Sequence, residues 1–359
     1  MAALGGATAL SSIGIDVGER TVAAVQLAGD PDRWRVYRAA VFARPRAQSE
    51  STRAHDGMED GGHASVSPDE ADAVTRVLRR RGFRGRSASM SMPHGEVVQA
   101  LVSTPPAESG APIDRLAKVE LARMIRLQPG ELETACWEVE TSPSAGVGGS
   151  AGGTGHEVLA VGCKRYEAES LAAAFDASGY VLRGLDAAGC ALAVGVDASS
   201  PTSAGLRLGV DLGWSATRIL AVQHGRPAYQ RALPDLGLSR LHARARSEFG
   251  FGGVVLDRAL RGEVASTHVA DAAEHLVSRF VEALVREVRT SLGYVEDGFV
   301  ERADEAVTLV GGGATIPSVS RGLEQSLGVR IELPRVGGGS DPVVGPESVQ
   351  ALGLALRFE

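Results

Sequence analysis

The chain has 359 residues, is 44% hydrophobic and carries a formal net charge of −7 at pH 7, enough apolar material for two or three domains and no basic field for nucleic acid or anionic lipid. Lys and Arg total 37, yet only Lys118 and Lys164 are lysines, so neither a G-K-[ST] phosphate loop nor the lysine set of a protein kinase is present; the arginine excess also fits a genome-wide codon bias. Cys136, Cys163 and Cys190 form no C-x-x-C pair, the first twelve residues lack a signal-peptide pattern, and the apolar run near 184–196 is broken by Asp186, which together read as a cytoplasmic chain with free thiols.

Residues 13–27 read as strand, tight turn and strand (IGIDV, GER, TVAAVQL), followed by a third strand at 34–42. Residues 44–68 are polar and read as a mobile loop. A helix is expected over 68–81, then short strands at 86–92 and 97–102. The spacing of Leu116, Val119, Leu121 and Ile125 predicts an amphipathic helix over 114–125. Strands are expected at 137–140 and 157–162, separated by the low-complexity stretch SPSAGVGGSAGGTG. A helix at 166–178 ends at Gly179, and a strand follows at 180–185.

The opening pattern then recurs. LSSIGIDVGERTV at 10–22 and LRLGVDLGWSATRI at 206–219 share the frame apolar-G-[IV]-D-[VL]-G-x-x-x-[TV], and a third strand follows each. This self-similarity argues for two structurally related lobes. The rest reads as a helix-rich stretch at 237–303, a strand at 306–310, a glycine turn, a helix at 316–327, a strand at 329–333 and a closing helix at 347–357.

Three turns carry candidate chemistry. Asp16-Val17-Gly18 and Asp211-Leu212-Gly213 each end a strand with an aspartate and enter a hairpin through a glycine, where backbone N–H groups approach an anion closely. Two such aspartates suit Mg²⁺, which keeps its waters and takes one or two carboxylates. One D-x-G alone is equally a polar hairpin turn; two heading related lobes are less ordinary. The third turn, Gly311-Gly312-Gly313-Ala314 before Pro317, follows a strand and precedes a helix, where a purine or ribose could lie against the backbone; alone it also reads as a flexible αβ turn. Glu287 and Arg289, late in a predicted helix, are candidates for ribose or adenine, or simply solvated charges.

The ordered set of two D-x-G hairpins and a G-G-G-A turn resembles the actin, Hsp70 and sugar-kinase superfamily of ATP-binding folds. Within it, KVELARMIRLQPGELETACWEVE, HEVLAVGCKRYEAESLAAAFDASGYVLRGLDAAGCAL, LVREVRTSLGYVED and VTLVGGGATIPSV are similar to the PilM family of type IV pilus assembly proteins, over nearly the whole chain. The resemblance implies an α/β, two-lobed actin-like fold with duplicated ribonuclease H-like lobes and a small α+β insert. Subdomain 1A would take 1–105 and 340–359, the insert 106–185, subdomain 2A 186–236 and 304–339, and subdomain 2B 237–303. ATP with Mg²⁺ would lie in the cleft, with Asp16 and Asp211 holding the metal. The nucleotide would meet Gly18, Glu19, Arg20, Thr21, Gly213, Trp214, Ser215, Ala216, Thr217, Glu287, Arg289, Gly311, Gly312, Gly313, Ala314 and Pro317. The implied partner is the cytoplasmic N-terminal peptide of a PilN-like inner-membrane protein, which recruits the chain to the membrane's inner face; self-association is left open.

Departures from the family pattern bear on turnover. Glu19 and Arg20 follow Gly18 where small hydroxyl residues are usual. A carboxylate ~4 Å from a phosphate charge at an effective dielectric of ~20 is repelled by about 4 kcal/mol, and Arg20 is the cation expected to offset it. Trp214 replaces a small residue, Leu236-Gly237 stands for a G-G pair, and Ile125-Arg126 for an isoleucine-proline step. These changes weigh against hydrolysis and against tight ATP binding. Two alternatives remain: a small-molecule kinase of the same superfamily, although no general base can be placed, and an FtsA-like filament protein, although the chain ends at Glu359 without that family's amphipathic membrane helix.

Overall fold

The computed structural model describes residues 9–30, 33–45, 66–139, 156–199, 205–299 and 303–357. The expected polar loop at 44–68 falls mostly outside the described residues, and the low-complexity stretch at 142–155 entirely so. In chain order the strands are β1 (Ile13–Val17), β2 (Thr21–Asp30), β3 (Arg33–Ala43), β4 (Ser87–Met92), β5 (Val97–Thr104), β6 (Leu132–Glu138), β7 (His156–Lys164), β8 (Val181–Ala187), β9 (Leu206–Leu212), β10 (Thr217–Gln223), β11 (Arg226–Leu233), β12 (Ala303–Val310) and β13 (Arg330–Glu332). The helices are α1 (Pro68–Arg80), α2 (Ile113–Met124), α3 (Arg165–Ala177), α4 (Ala188–Ser199), α5 (Leu238–Phe249), α6 (Gly253–Leu260), α7 (Thr267–Gly298), α8 (Pro317–Leu327) and α9 (Val349–Arg357).

The chain forms two compact units, one of 1–96, 166–199 and 335–359, the other of 97–165 and 200–334. Each contains a five-stranded sheet, ordered β3-β2-β1-β4-β8 in the first and β11-β10-β9-β12-β13 in the second. Three consecutive strands pair antiparallel in each, and two more join parallel on the far side of the leading strand. The duplicated D-x-G pattern therefore corresponds to duplicated topology, as expected.

In the first unit, β1 is buried between its neighbours, with Ile13 and Ile15 at 0% exposure. Helices α4 and α9 cross so closely that a Cβ on Gly353 would lie 1.8 Å from the Ala191 carbonyl oxygen. Sequence periodicity gave no sign of α4. Its residues AGCALAVGVDAS are small or apolar at nearly every position and mostly buried, so no stripe marks a face.

In the second unit, β5, β6 and β7 form a separate antiparallel sheet in the order β5-β7-β6. The Trp137 indole Nε1 on β6 donates to the Pro227 carbonyl of β11 at 3.1 Å, tying this small sheet to the larger one. The expected insert boundaries of 106–185 shift at both ends: β5 begins at Val97 and belongs to the insert sheet, whereas β8 pairs with β4 in the first unit. Strand β6 also begins at Leu132 rather than at Trp137, its pairing with β7 carrying it back to the preceding turn.

Helix α2 packs on the insert sheet through only part of the face its periodicity suggests. Ala117, Leu121 and Ala122 are buried, Ala117 and Leu121 against Val102, Val158 and Ala160. Leu116 and Val119, expected on the apolar face, are exposed, as is Met124. Ala117 and Ala122 share the buried side with Leu121, and Leu116, Val119 and Met124 stay outside. In the long α7, Leu276, Phe280, Leu284 and Val288 recur every fourth residue along its buried side.

Candidate functional site

The first hairpin closes through the Gly18 N–H donating to the Thr21 carbonyl at 2.9 Å. Asp16 stands one residue before the end of β1, across from Ala23. Its Oδ1 accepts from Gln350 Nε2 at 2.6 Å, and the same amide nitrogen lies 2.9 Å from Ser91 Oγ. Gln350 comes from α9 and is 7% exposed, so the carboxylate is tethered by a neutral buried donor.

Arg20 is not the only cation near this turn. Arg44, just beyond β3, donates from Nη1 to the Gly18 carbonyl at 3.4 Å and from its backbone N–H to the Arg20 carbonyl at 2.9 Å. Its guanidinium meets Glu70 in a two-pronged pair, with Nη2 to Oε2 at 3.0 Å, and both side chains are almost fully buried. Glu70 is positioned by the start of α1, where its own N–H caps onto Ser67 Oγ at 3.2 Å. A buried pair with its partner intact is tolerated; removing one partner leaves an uncompensated charge.

The second hairpin repeats this backbone with different chemistry. Gly213 N–H donates to the Ala216 carbonyl at 3.1 Å. Asp211 lies across from Arg218 in the β9–β10 register, where the first hairpin has Ala23. Arg218 Nε and Nη2 both reach Asp211 Oδ2, at 2.8 and 2.6 Å. The Asp211 side chain is 7% exposed and that of Arg218 16%.

Gly311 packs onto the other carboxylate oxygen. A Cβ there would stand 2.3 Å from Asp211 Oδ1, and its backbone, φ 82° and ψ 176°, is open essentially to glycine alone. The glycine turn and the second hairpin are thus brought together as the sequence suggested. Gly312 has nothing within 4 Å of its would-be Cβ, so the middle of the turn is open. Ala314 is buried and Pro317 opens α8 at its first turn, Ala314 donating its N–H to the Gly311 carbonyl at 3.2 Å.

Several expected contact residues are committed to protein partners. Thr217 is fully buried, and its hydroxyl donates to the Leu236 carbonyl at 2.6 Å. The first N–H groups of α5, on Leu238 and Ser239, donate to the carbonyls of Gly213 and Trp214 at 3.1 and 2.8 Å. Gly237 lets this helix start close against Trp214 and Ser215. The Trp214 ring meets His242 edge-on at 4.7 Å between centroids, and His242 Nε2 lies 3.2 Å from Asp257 Oδ1. Glu287 pairs with Arg231 at 2.7 Å, and Arg289 Nη2 donates to the Ser326 carbonyl at 2.6 Å, joining α7 to β11 and α8.

A divalent cation does not fit the Asp211 carboxylate. A unit negative charge attracts a divalent ion by about 7 kcal/mol at ~5 Å and an effective dielectric of ~20. At the second hairpin the Arg218 guanidinium cancels that attraction to first order, and Gly311 covers the oxygen the guanidinium leaves. Among the described residues, no group of three or more His, Cys, Asp or Glu side chains is placed to hold a metal.

The sequence of residues 14–336 matches the family model for the type IV pilus assembly protein PilM. The chain belongs to the PilM family. Among solved structures it is similar to a PilM-PilN type IV pilus biogenesis complex, at 19% identity and a TM-score of 0.73 over 97% of this chain and 98% of that one. It is also similar to the ethanolamine utilization protein EutJ from Carboxydothermus hydrogenoformans, at 16% identity and a TM-score of 0.55 over 99% and 91% of the two chains. At these identities the likeness shows the fold, which is the two-lobed actin-like ATPase fold expected from the hairpins. No curated protein matches the chain in sequence. This PilM-family chain is thus an actin-like protein of type IV pilus assembly.

Arg218, Arg44 and Gln350 were missed from sequence. Arg218 had a local signal, since it stands seven residues after Asp211, where antiparallel pairing across a short turn places a cross-strand partner. Arg44 and Gln350 had none, because their partners are 26 and 334 residues away.

Proposed function

We propose that this chain is a cytoplasmic scaffold of a type IV pilus or related secretion machine, and that it grips the N-terminal cytoplasmic segment of a PilN-like inner-membrane protein. The observation that carries this reading is the family match across 14–336 together with the full-length likeness to a PilM in complex with PilN. No helix among the described residues is long and apolar enough to cross a membrane, so in this reading the membrane is reached through the partner.

The insert supports a peptide-gripping role. Leu116, Val119 and Met124 project outward from α2 at 39, 44 and 58% exposure, while the alanines face the sheet. An apolar row on a helix already anchored by its other face suits the side chains of a short bound segment. A pull-down with the partner's cytoplasmic segment tests this, with and without ATP. Wild type should retain the segment, and Leu116→Asp/Val119→Asp should lose it while keeping its fold. Retention by neither, in either condition, sinks the reading.

The nucleotide role extends the same proposal. Each hairpin would offer backbone N–H groups to phosphate, and the open glycine turn at Gly312 would admit a ribose or purine, whereas Glu287 and Arg289 are held by Arg231 and the Ser326 carbonyl. ATP supplies binding energy here rather than chemistry. Asp211 is neutralised by Arg218 and Asp16 is tethered by Gln350, so neither carboxylate is poised as a general base, and turnover is expected to be slow or absent. Arg20 is exposed on the first hairpin. Arg20→Ala should weaken ATP binding by about tenfold, the worth of one charge-assisted hydrogen bond, as read by calorimetric titration; an unchanged affinity would remove Arg20 from the site.

A further inference from the structure

The two hairpins share backbone and register but not charge. Across from Asp16 stands Ala23; across from Asp211 stands Arg218, with two guanidinium nitrogens on one carboxylate oxygen and Gly311 packed over the other. A fixed guanidinium thus lies where an actin-like site would use an aspartate to gather a hydrated divalent ion. We propose that Arg218 takes the place of that ion, so that the chain binds nucleoside phosphates without requiring a divalent cation.

A carboxylate attracts a hydrated Mg²⁺ through its own negative charge and through oxygens that accept from the ion's waters. Here the charge is matched one for one by Arg218, and the pair is nearly buried, so salt screens it little. The guanidinium cannot leave by losing its proton, because arginine stays charged at any working pH. The paired Asp211 therefore keeps no net charge with which to gather a divalent ion or to repel a phosphate. Lysine could not replace Arg218 in the same way, since a point charge lacks the fork that holds one oxygen with two N–H groups. This inference rests on the nucleotide part of the proposed function.

The test is a fluorescent-nucleotide titration of the full chain with N-methylanthraniloyl ATP, in excess EDTA and in excess MgCl₂. Wild-type affinity should agree within about threefold between the two buffers, below the tenfold that one 1.4 kcal/mol contact makes. Arg218→Gln frees the Asp211 carboxylate, so this variant should bind weakly in EDTA and recover at least about tenfold in Mg²⁺. Wild type that binds only with Mg²⁺ overturns the inference and leaves nucleotide binding standing; that comparison needs no variant to fold. A folded Arg218→Gln that is as indifferent to Mg²⁺ as wild type also overturns it. No binding by wild type in either buffer overturns both this inference and the nucleotide reading.

Discussion

The packing of Gly311 on Asp211 makes a sharp stability prediction. Gly311→Ala asks an L-residue to adopt φ 82°, ψ 176° and places a methyl 2.3 Å from Asp211 Oδ1 and 2.8 Å from the Leu212 carbonyl oxygen. The backbone conformation alone costs about 1–3 kcal/mol, and breaking a buried ion pair outright costs about 3–5 kcal/mol. Asp211 can shift without fully losing Arg218, so the expected destabilisation is about 2–4 kcal/mol. The neighbouring Gly312→Ala is the control, because its methyl meets nothing within 4 Å and its φ lies outside the left-handed range. That change should be neutral or stabilising by up to about 1 kcal/mol. Of the three tryptophans, Trp137 and Trp214 lie in the second unit, so urea unfolding followed by fluorescence in a Trp34→Phe background reports that unit. If the two alanine variants unfold within about 0.5 kcal/mol of each other, the packing described for the glycine turn is wrong.

Three further outcomes follow from buried polar groups. Glu70→Ala should lower stability by about 3–5 kcal/mol by stranding Arg44, and the double variant Arg44→Met/Glu70→Leu should regain most of it; equal losses in single and double variants would contradict the pairing. Thr217→Val should cost about 1–2 kcal/mol through the lost bond to Leu236, read as a lower Tm; unchanged stability with lost nucleotide affinity would instead make the hydroxyl a phosphate ligand. Burial pushes the Asp186 carboxyl up from 3.8 to about 6, against the opposing pull of Arg357 and the Ala187 N–H. A raised carboxyl contributes stability that is fully present below pH ~4 and is lost as pH rises through ~6. The stability of Asp186→Asn relative to wild type should therefore rise by about 2 kcal/mol between pH 4 and pH 7, measured by urea unfolding at each pH; a flat difference would contradict the burial argument.

Much of the fold was legible because its signals are local. A D-x-G turn between two β-rich runs specifies a hairpin, and its recurrence at 206–219 announced the second sheet before any strand order was known. The glycine turn was legible for the same reason, and its approach to Asp211 follows from β12 pairing parallel to β9. Helix α4 was hidden because burial on all sides erases periodicity. The face of α2 was half misread, because Ala117 and Ala122, which carry little hydrophobic weight, share the buried side with Leu121 while Leu116 and Val119 face solvent. At the candidate site, residue types could be read but not their commitments. Nothing local in GWSAT says that the Thr217 hydroxyl turns to Leu236, and nothing near Asp16 points to Gln350 at the other end of the chain.

The proposed function rests on this chain gripping a membrane partner's cytoplasmic segment. Its most direct test is a fluorescence anisotropy titration of the labelled N-terminal segment of the PilN-like protein against the full chain, beside a scrambled segment of the same composition. The expected result is saturable binding of the native segment, loss of that binding in Leu116→Asp/Val119→Asp, and none for the scrambled one. Equal anisotropy for native and scrambled segments, with and without ATP, would contradict it.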